Sequence, residues 1–277
     1  MPMMALRGYL PDATITPEIQ KTLNPIVPFN SVHKAFTAAA SAVAQDGTDY
    51  DIPNEPPAYD QGDMGSCVLN SSTGALNIVL AVEAQATQML SRLFLYYLCR
   101  EAMGTVGQDS GTYTHLAVDR IGKIGVCQET FWQYLDANLY VAPPPECFPA
   151  ASDNKATAWF NITDPTPGSS QPTRLDQIET AIRSDHPVIF GTPCDAAIQA
   201  YIAGQILGIP NTNALIGGHS MCVTGVHYID GARVWRIRNS WSTSYGDNGH
   251  LLISDAWMGW VSLTDLWLLT RMDGLMY

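Results

Sequence analysis

The stretch Tyr59-Asp60-Gln61-Gly62-Asp63-Met64-Gly65-Ser66-Cys67 runs directly into Val68-Leu69-Asn70-Ser71-Ser72-Thr73-Gly74-Ala75-Leu76-Asn77-Ile78-Val79-Leu80. Turn-forming aspartates and glycines stop at a single cysteine, and the small and apolar residues behind it are spaced for a buried helix. Cys67 is therefore expected at a helix N-terminus. Unpaired backbone N–H groups and the positive end of the helix dipole stabilise an anion there, which favours thiolate over thiol and suits a nucleophile. A lone cysteine is more often a buried packing residue. Its companions elsewhere in the chain reverse that balance.

Composition narrows the classes first. Of 277 residues, 46% are hydrophobic and 14% charged, so the chain is globular and long enough for one large domain or two lobes. The 14 Lys and Arg set against 26 Asp and Glu give a net charge of −12, which excludes a nucleic-acid or anionic-membrane surface. No run of eighteen apolar residues is present, so no membrane span is expected. The stretch Met1 to Tyr9 lacks the basic leader and apolar core of a signal peptide. The expected location is inside a cell, cytoplasmic or carried in an assembly. The six cysteines at 67, 99, 127, 147, 194 and 222 stand singly with no Cys-x-x-Cys pair. Reduced thiols are expected, with no metal site and no cofactor.

Residues 1–58 read as an N-terminal extension and crossing segment, extended over its first 17 residues and with an Ala-rich helix at 35–44. Residues 59–160 read as mainly helical. The Cys67 helix extends to about Gln88, Ser91 caps a second helix starting at Arg92, and Thr112 or Thr114 opens a third that ends near Gly122–Gly125. The proline-rich 141–172 crosses to a mainly β region, 161–277, with a helix at 175–182 and strands at 188–190, 221–226, 234–238 and 251–253. The outline is one α+β unit with a cleft between its halves.

Two segments of the second half carry chemistry. Gly217-Gly218-His219-Ser220 places a histidine at the mouth of an apolar strand, with two glycines leaving an open pocket beside the ring. Arg238-Asn239-Ser240-Trp241 sets an amide two residues before a large aromatic, followed by Tyr245-Gly246-Asp247-Asn248-Gly249. Together with Asp60-Gln61-Gly62 and Gly65-Ser66-Cys67, these motifs resemble the papain-like cysteine proteases, most closely their bacterial-type branch. Gln61 lies six positions before Cys67, as in that family. Further similarities at Gly8-Tyr9-Leu10-Pro11-Asp12 and Asp109-Ser110-Gly111 spread the resemblance over nearly the whole chain.

The resemblance implies a papain-like two-lobed fold, with the nucleophile on a central helix of a helical lobe and a barrel-like β lobe opposite. It implies a cysteine endopeptidase acting on polypeptides. In that reading Cys67 attacks, His219 moves the proton and Asn239 orients the ring. Gln61 helps to hold the oxyanion, and Trp241 shields the His219–Asn239 bond. Gly111 pairs with the substrate backbone. The alternatives are a silent relative serving as a binding component of a larger assembly, or an amidase or transpeptidase with the same chemistry. His227, His186, His115, His33 and His250 read as surface or packing residues.

The chain departs from the family pattern at Met64, Val68 and Ser242, which bear on local shielding and turns. Secreted members carry a long pro-segment, whereas only 66 residues precede Cys67 here and several of those match the mature fold.

Overall fold

The computed structural model describes residue 6 and residues 8–29, 47–84, 88–164, 167–168 and 172–271. The Ala-rich stretch at 35–44 and His33 lie outside them. A helix spans Cys67–Ala84, entered from the Asp60–Ser66 loop. Both Asp109 carboxylate oxygens accept from the Gly65 N–H, at 2.9 and 3.1 Å, and the Asn70 side chain donates back to the Ser66 carbonyl at 2.9 Å. These contacts fix the first turn.

Ser91 caps the helix Arg92–Met103 by accepting from the Phe94 N–H at 3.1 Å, and Gly104 ends it at φ 69°. The helix Thr114–Lys123 follows, as the sequence suggests. Val68, Leu69, Leu76, Leu93, Phe94, Leu98, Leu116 and Ile121 form one core beneath these three helices.

The second core belongs to a sheet. Two short strands, β1 (Tyr9–Leu10) and β2 (Tyr50–Asp51), precede the Cys67 helix, and β3 (Thr112–Tyr113) precedes the third helix. Then come β4 (Ala158–Asn161), β5 (Val188–Asp195), β6 (Ile206–Leu207), β7 (Leu215–Ile229), β8 (Ala232–Arg238), β9 (His250–Ser254) and β10 (Thr264–Thr270). Among the described residues the sheet runs β4-β10-β5-β7-β8-β9-β6, with β2 added to β7. Phe190, Met221, Val223, Trp235, Ile237, Leu251, Ile253 and Leu268 pack on it.

The Cys67 helix lies between the two cores: Leu69 and Leu76 face one, and Ile78 faces the other. This explains why it is apolar nearly all round. Truncating Leu76 to Ala removes a fully buried side chain and costs about 2–5 kcal/mol. The fold is thus α+β and two-lobed. β4 straddles the 160/161 division and pairs with β10, so the sheet takes up residues on both sides of it.

β1 does not join the large sheet. It pairs in parallel with β3, Tyr9 opposite Thr112 and Leu10 opposite Tyr113. The N-terminal segment lies between the Gly65–Cys67 backbone and Gly217–Gly218 of β7.

Candidate active site

Cys67 is the first residue of its helix and is fully buried. One turn further on, the Ser71 hydroxyl hydrogen-bonds the Ser220 hydroxyl at 2.7 Å, which ties the helix to β7 immediately beside His219. Backbone groups of Ser220, Val68, Gly8 and Cys67 itself act to lower the thiol's pKa. The thiol therefore lies against the strand that carries the histidine.

His219, on β7, is paired with Asn239, the residue directly after β8. Its Nε2–H donates to the Asn239 Oδ1 at 2.8 Å, and the Ser240 N–H donates to the same oxygen at 2.8 Å. An amide oxygen accepts only, so the proton sits on Nε2 and Nδ1 keeps a lone pair. That Nδ1 is buried with no hydrogen-bond partner among the described residues. Trp241 stacks on the imidazole, with ring centroids 4.9 Å apart at 23°, and is itself nearly buried. The pair is thus closed to water on that side.

Gln61 arrives by backbone pairing. Its N–H donates to the Ser240 carbonyl at 2.8 Å, and Asp60 bridges Trp241. The Gln61 Oε1 accepts from the Ser240 hydroxyl at 2.5 Å while its Nε2 donates to the Met64 carbonyl at 3.0 Å. Gln61, Asn239 and Trp241 are thereby held as one assembly at the foot of the Cys67 helix.

Gly111 follows the Asp109 that holds the Gly65 N–H, and its own N–H donates to the Tyr96 hydroxyl at 2.9 Å. The next residue, Thr112, donates its N–H to the Gly8 carbonyl at 3.0 Å, so Thr112 makes the contact across the groove. Its backbone role leaves no signature in residue type.

The groove is occupied by the chain itself. A Cβ added at Gly8 would fall 2.4 Å from the Gly65 carbonyl carbon and 2.9 Å from the Cys67 nitrogen, which measures how closely the segment lies over the candidate nucleophile. On the far wall, a Cβ at Gly217 would meet the Leu6 carbonyl oxygen at 2.2 Å, and one at Gly218 would meet the Tyr9 ring at 2.9 Å. The two glycines do leave room beside His219, and Leu6 and Tyr9 fill it. The Tyr9 hydroxyl reaches Thr264 at 2.9 Å and donates to the Asp265 carboxylate. Asp12 continues the anchor: its N–H donates to Asp265 at 2.9 Å, and its carboxylate accepts from the His115 N–H and the Trp267 indole at 3.1 Å each.

The cover decides the electrostatics. Burial pushes the Cys67 thiol up to about 12, and the nearby backbone groups only partly offset it. Burial likewise lowers His219 to about 4, with the Asn239 hydrogen bond acting the other way. Both groups are neutral at pH 7. This differs from the thiolate expected of the helix N-terminus, because the loss of water outweighs the helix dipole.

The other histidines have separate partners. His227 pairs with Asp51 at 3.0 Å, His250 with Glu55 at 2.7 Å, and His115 stacks on Trp267. All six cysteines are free and buried. No cluster of His, Cys, Asp and Glu suited to a metal ion exists among the described residues, and no described helix is long and apolar enough to cross a membrane.

Residues 49–264 match the model of the papain family cysteine proteases. An uncharacterized peptidase C1-like protein of Acanthamoeba polyphaga mimivirus is 30% identical over 72% of this chain and 64% of its own length. Cysteine proteinase 2 of Entamoeba histolytica is 23% identical over 70% of this chain and 58% of its own. The chain thus spans less than two thirds of these curated relatives. Among solved structures, xylellain, a cysteine protease from Xylella fastidiosa, superposes with a TM-score of 0.75 at 24% identity, covering 99% of both chains. A Carica candamarcensis cysteine protease in complex with E-64 gives a TM-score of 0.62 at 20% identity over 82% of this chain and 99% of that one.

Proposed function

Because the chain belongs to the papain family of cysteine proteases, we propose that it is a cysteine endopeptidase that hydrolyses peptide bonds through Cys67, His219 and Asn239. The observation that carries this reading is the His219–Asn239 hydrogen bond, roofed by Trp241, with an unpartnered Nδ1 on the ring beside the Cys67 helix.

In the proposed reaction Nδ1 of His219 takes the thiol proton as the Cys67 sulfur bonds to the substrate carbonyl carbon. The carbonyl π pair moves onto oxygen, where the Cys67 N–H and the Gln61 side-chain amide stabilise it. Collapse breaks the C–N bond, and the imidazolium gives its proton to the leaving amine. Water, deprotonated by His219, then attacks the thioester; the acid leaves and the thiol is restored. Asn239 keeps the ring in the tautomer that accepts at Nδ1. Trp241 excludes water that would compete for the Asn239 oxygen. Loss of one oxyanion donor commonly slows such reactions about 10²- to 10³-fold, which sets the scale expected for Gln61→Ala.

Alkylation by iodoacetamide near pH 6 tests the reading when applied to a Tyr9→Ala chain, whose groove is relieved of its largest side chain. Cys67 is expected to react ahead of the other five cysteines and to lose that lead in His219→Ala. Equal labelling of all six would overturn it. Cleavage of a peptide mixture, set against a Cys67→Ser control, reports the hydrolysis itself.

A further inference from the structure

The loop that carries Gln61 to the foot of the Cys67 helix is gripped from outside by two residues that the proposed chemistry does not use. Tyr134 reaches both of its ends. The Tyr134 hydroxyl donates to the Gln61 carbonyl at 2.9 Å and lies 2.5 Å from the Ser66 hydroxyl. A phenol has one proton and a carbonyl can only accept, so the Ser66 hydroxyl is the donor to Tyr134. One turn into the helix, the Asn70 side-chain N–H donates to that Ser66 oxygen at 2.9 Å. The bonds therefore run one way, from Asn70 through Ser66 and Tyr134 to the Gln61 carbonyl. Asn70 also donates to the Ser66 carbonyl at 2.9 Å, the far end of the peptide that bears the Cys67 N–H. It thereby sets the direction of that N–H.

Arg92 closes the circuit. It is the first residue of its helix and 5% exposed. Its Nη1 donates to the Asp60 carbonyl at 2.8 Å and to the Asn70 Oδ1 at 3.1 Å, which leaves the Asn70 Nδ2 facing Ser66. The guanidinium lies between two rings, 4.4 Å from the Tyr59 centroid and 3.8 Å from that of Tyr134, and its Nη2 donates to both Glu129 oxygens at 2.9 and 3.2 Å. A charge this buried needs such partners. They are anchored in turn: the Glu129 N–H donates to the Met89 carbonyl at 2.8 Å, and the Ser91 hydroxyl donates to the Trp132 carbonyl at 2.6 Å. The support stands on residues 89–92, outside the loop it holds.

The two ends of that loop carry the two oxyanion donors of the proposed reaction, the Gln61 side-chain amide and the Cys67 N–H. Such donors act only when aimed at the place where charge develops. We infer that Tyr134 and Arg92 are positioning residues of the oxyanion hole, holding Gln61 and the Ser66–Cys67 peptide at a fixed distance and direction from each other. The inference rests on the hydrolase reading above and adds two residues to its machinery.

Tyr134→Phe in the full chain removes one oxygen and keeps the ring over Arg92. Two rates are compared: hydrolysis of a peptide, which passes through an oxyanion, and alkylation of Cys67 by iodoacetamide, which displaces iodide and forms none. The kcat for hydrolysis is expected to fall on the order of tenfold or more with KM within about twofold, between the loss of one hydrogen bond and the loss of a whole donor. Alkylation of Cys67 is expected to hold its rate. Joined to Gln61→Ala, the variant is expected to lose less than the product of the two separate losses, because one residue acts through the other. Arg92→Lys keeps the charge, loses the fork and is expected to show the same split between the two rates. Hydrolysis at the unaltered rate in either variant, hydrolysis and alkylation falling together, or losses that multiply with Gln61→Ala would overturn the inference. Should Tyr134→Phe fail to melt as a folded protein, Ser66→Ala breaks the same run of bonds one link earlier and is judged by the same outcomes. Failure of the unaltered chain to cut any peptide counts against the hydrolase reading and passes the decision on the two residues to NMR. There the Gln61 side-chain amide resonances are expected to move in Tyr134→Phe, and unmoved resonances overturn the inference.

Discussion

His219 and His227 stand on the same strand, β7, yet titrate in opposite directions. His219 is fully buried beneath the N-terminal segment and Trp241, its partner is a neutral amide, and burial holds it at about 4. His227 is half-buried, its partner is the Asp51 carboxylate, and that hydrogen bond raises it above its ordinary value. Burial and partner charge set a histidine, and the strand merely presents it. An amide orients the ring without charging it, which suits a group that must accept a proton and return it. A carboxylate charges the ring and turns it into a fastener.

The sharpest break of the comparison is removal of each ring. His219→Ala is expected to lower kcat/KM for peptide hydrolysis about 10²- to 10⁴-fold, whereas His227→Ala leaves it within a few fold. Peptide cleavage rates at matched folded fraction check this.

Exchanging the partner comes next. Asn239→Asp would give His219 the type of neighbour that His227 has, and its pKa is expected to rise by one to three units. A histidine NMR titration reads that rise, and the acid limb of the pH–rate profile moves with it.

Uncovering is a milder change. Tyr9→Ala removes the largest side chain over the groove and is expected to move His219 up from about 4 toward the ordinary 6.5, with His227 unmoved. The signs of the stability contributions oppose each other. His219 has a lowered folded pKa, so its contribution to closure falls as pH drops from 6.5 toward 4. His227 has a raised one, so its contribution is complete below 6.5 and is lost as pH rises through its folded pKa. The smallest effect expected is that of Asp51→Asn, because Asp51 is about half exposed: under about 1 kcal/mol of stability, present only on the acid side, by thermal melts across pH.

The motifs holding Cys67, His219, Asn239, Gln61 and Trp241 stand out in the sequence because each carries its own turn residues; the structure pairs His219 with Asn239, stacks Trp241 on the ring and ties Gln61 to Ser240. The helices after Ser91 and Thr114 were legible from caps and periodicity. The seating of Tyr9 was not. The ring lies over residues 191 and 218 on one face of the sheet and its hydroxyl meets residues 264 and 265, and the Tyr9–Asp265 bond joins residues 256 apart in sequence. A glycine in a strand signals close approach and does not say to what. Gly8-Tyr9-Leu10 reads as an extended stretch, and β1's partner, β3, is only two residues long. The neutral thiol was hidden for the same reason. Charge state follows from what covers a group, and the cover is tertiary.

Gly8 gives this architecture a hair trigger. Because its α-carbon rests against the peptide joining Gly65 to Ser66, where a methyl would collide with backbone at 2.4 Å, one added carbon forces the ribbon or the loop beneath it to shift. A single-codon change there would leave every reacting atom untouched and still disturb how the molecule covers its own sulfur.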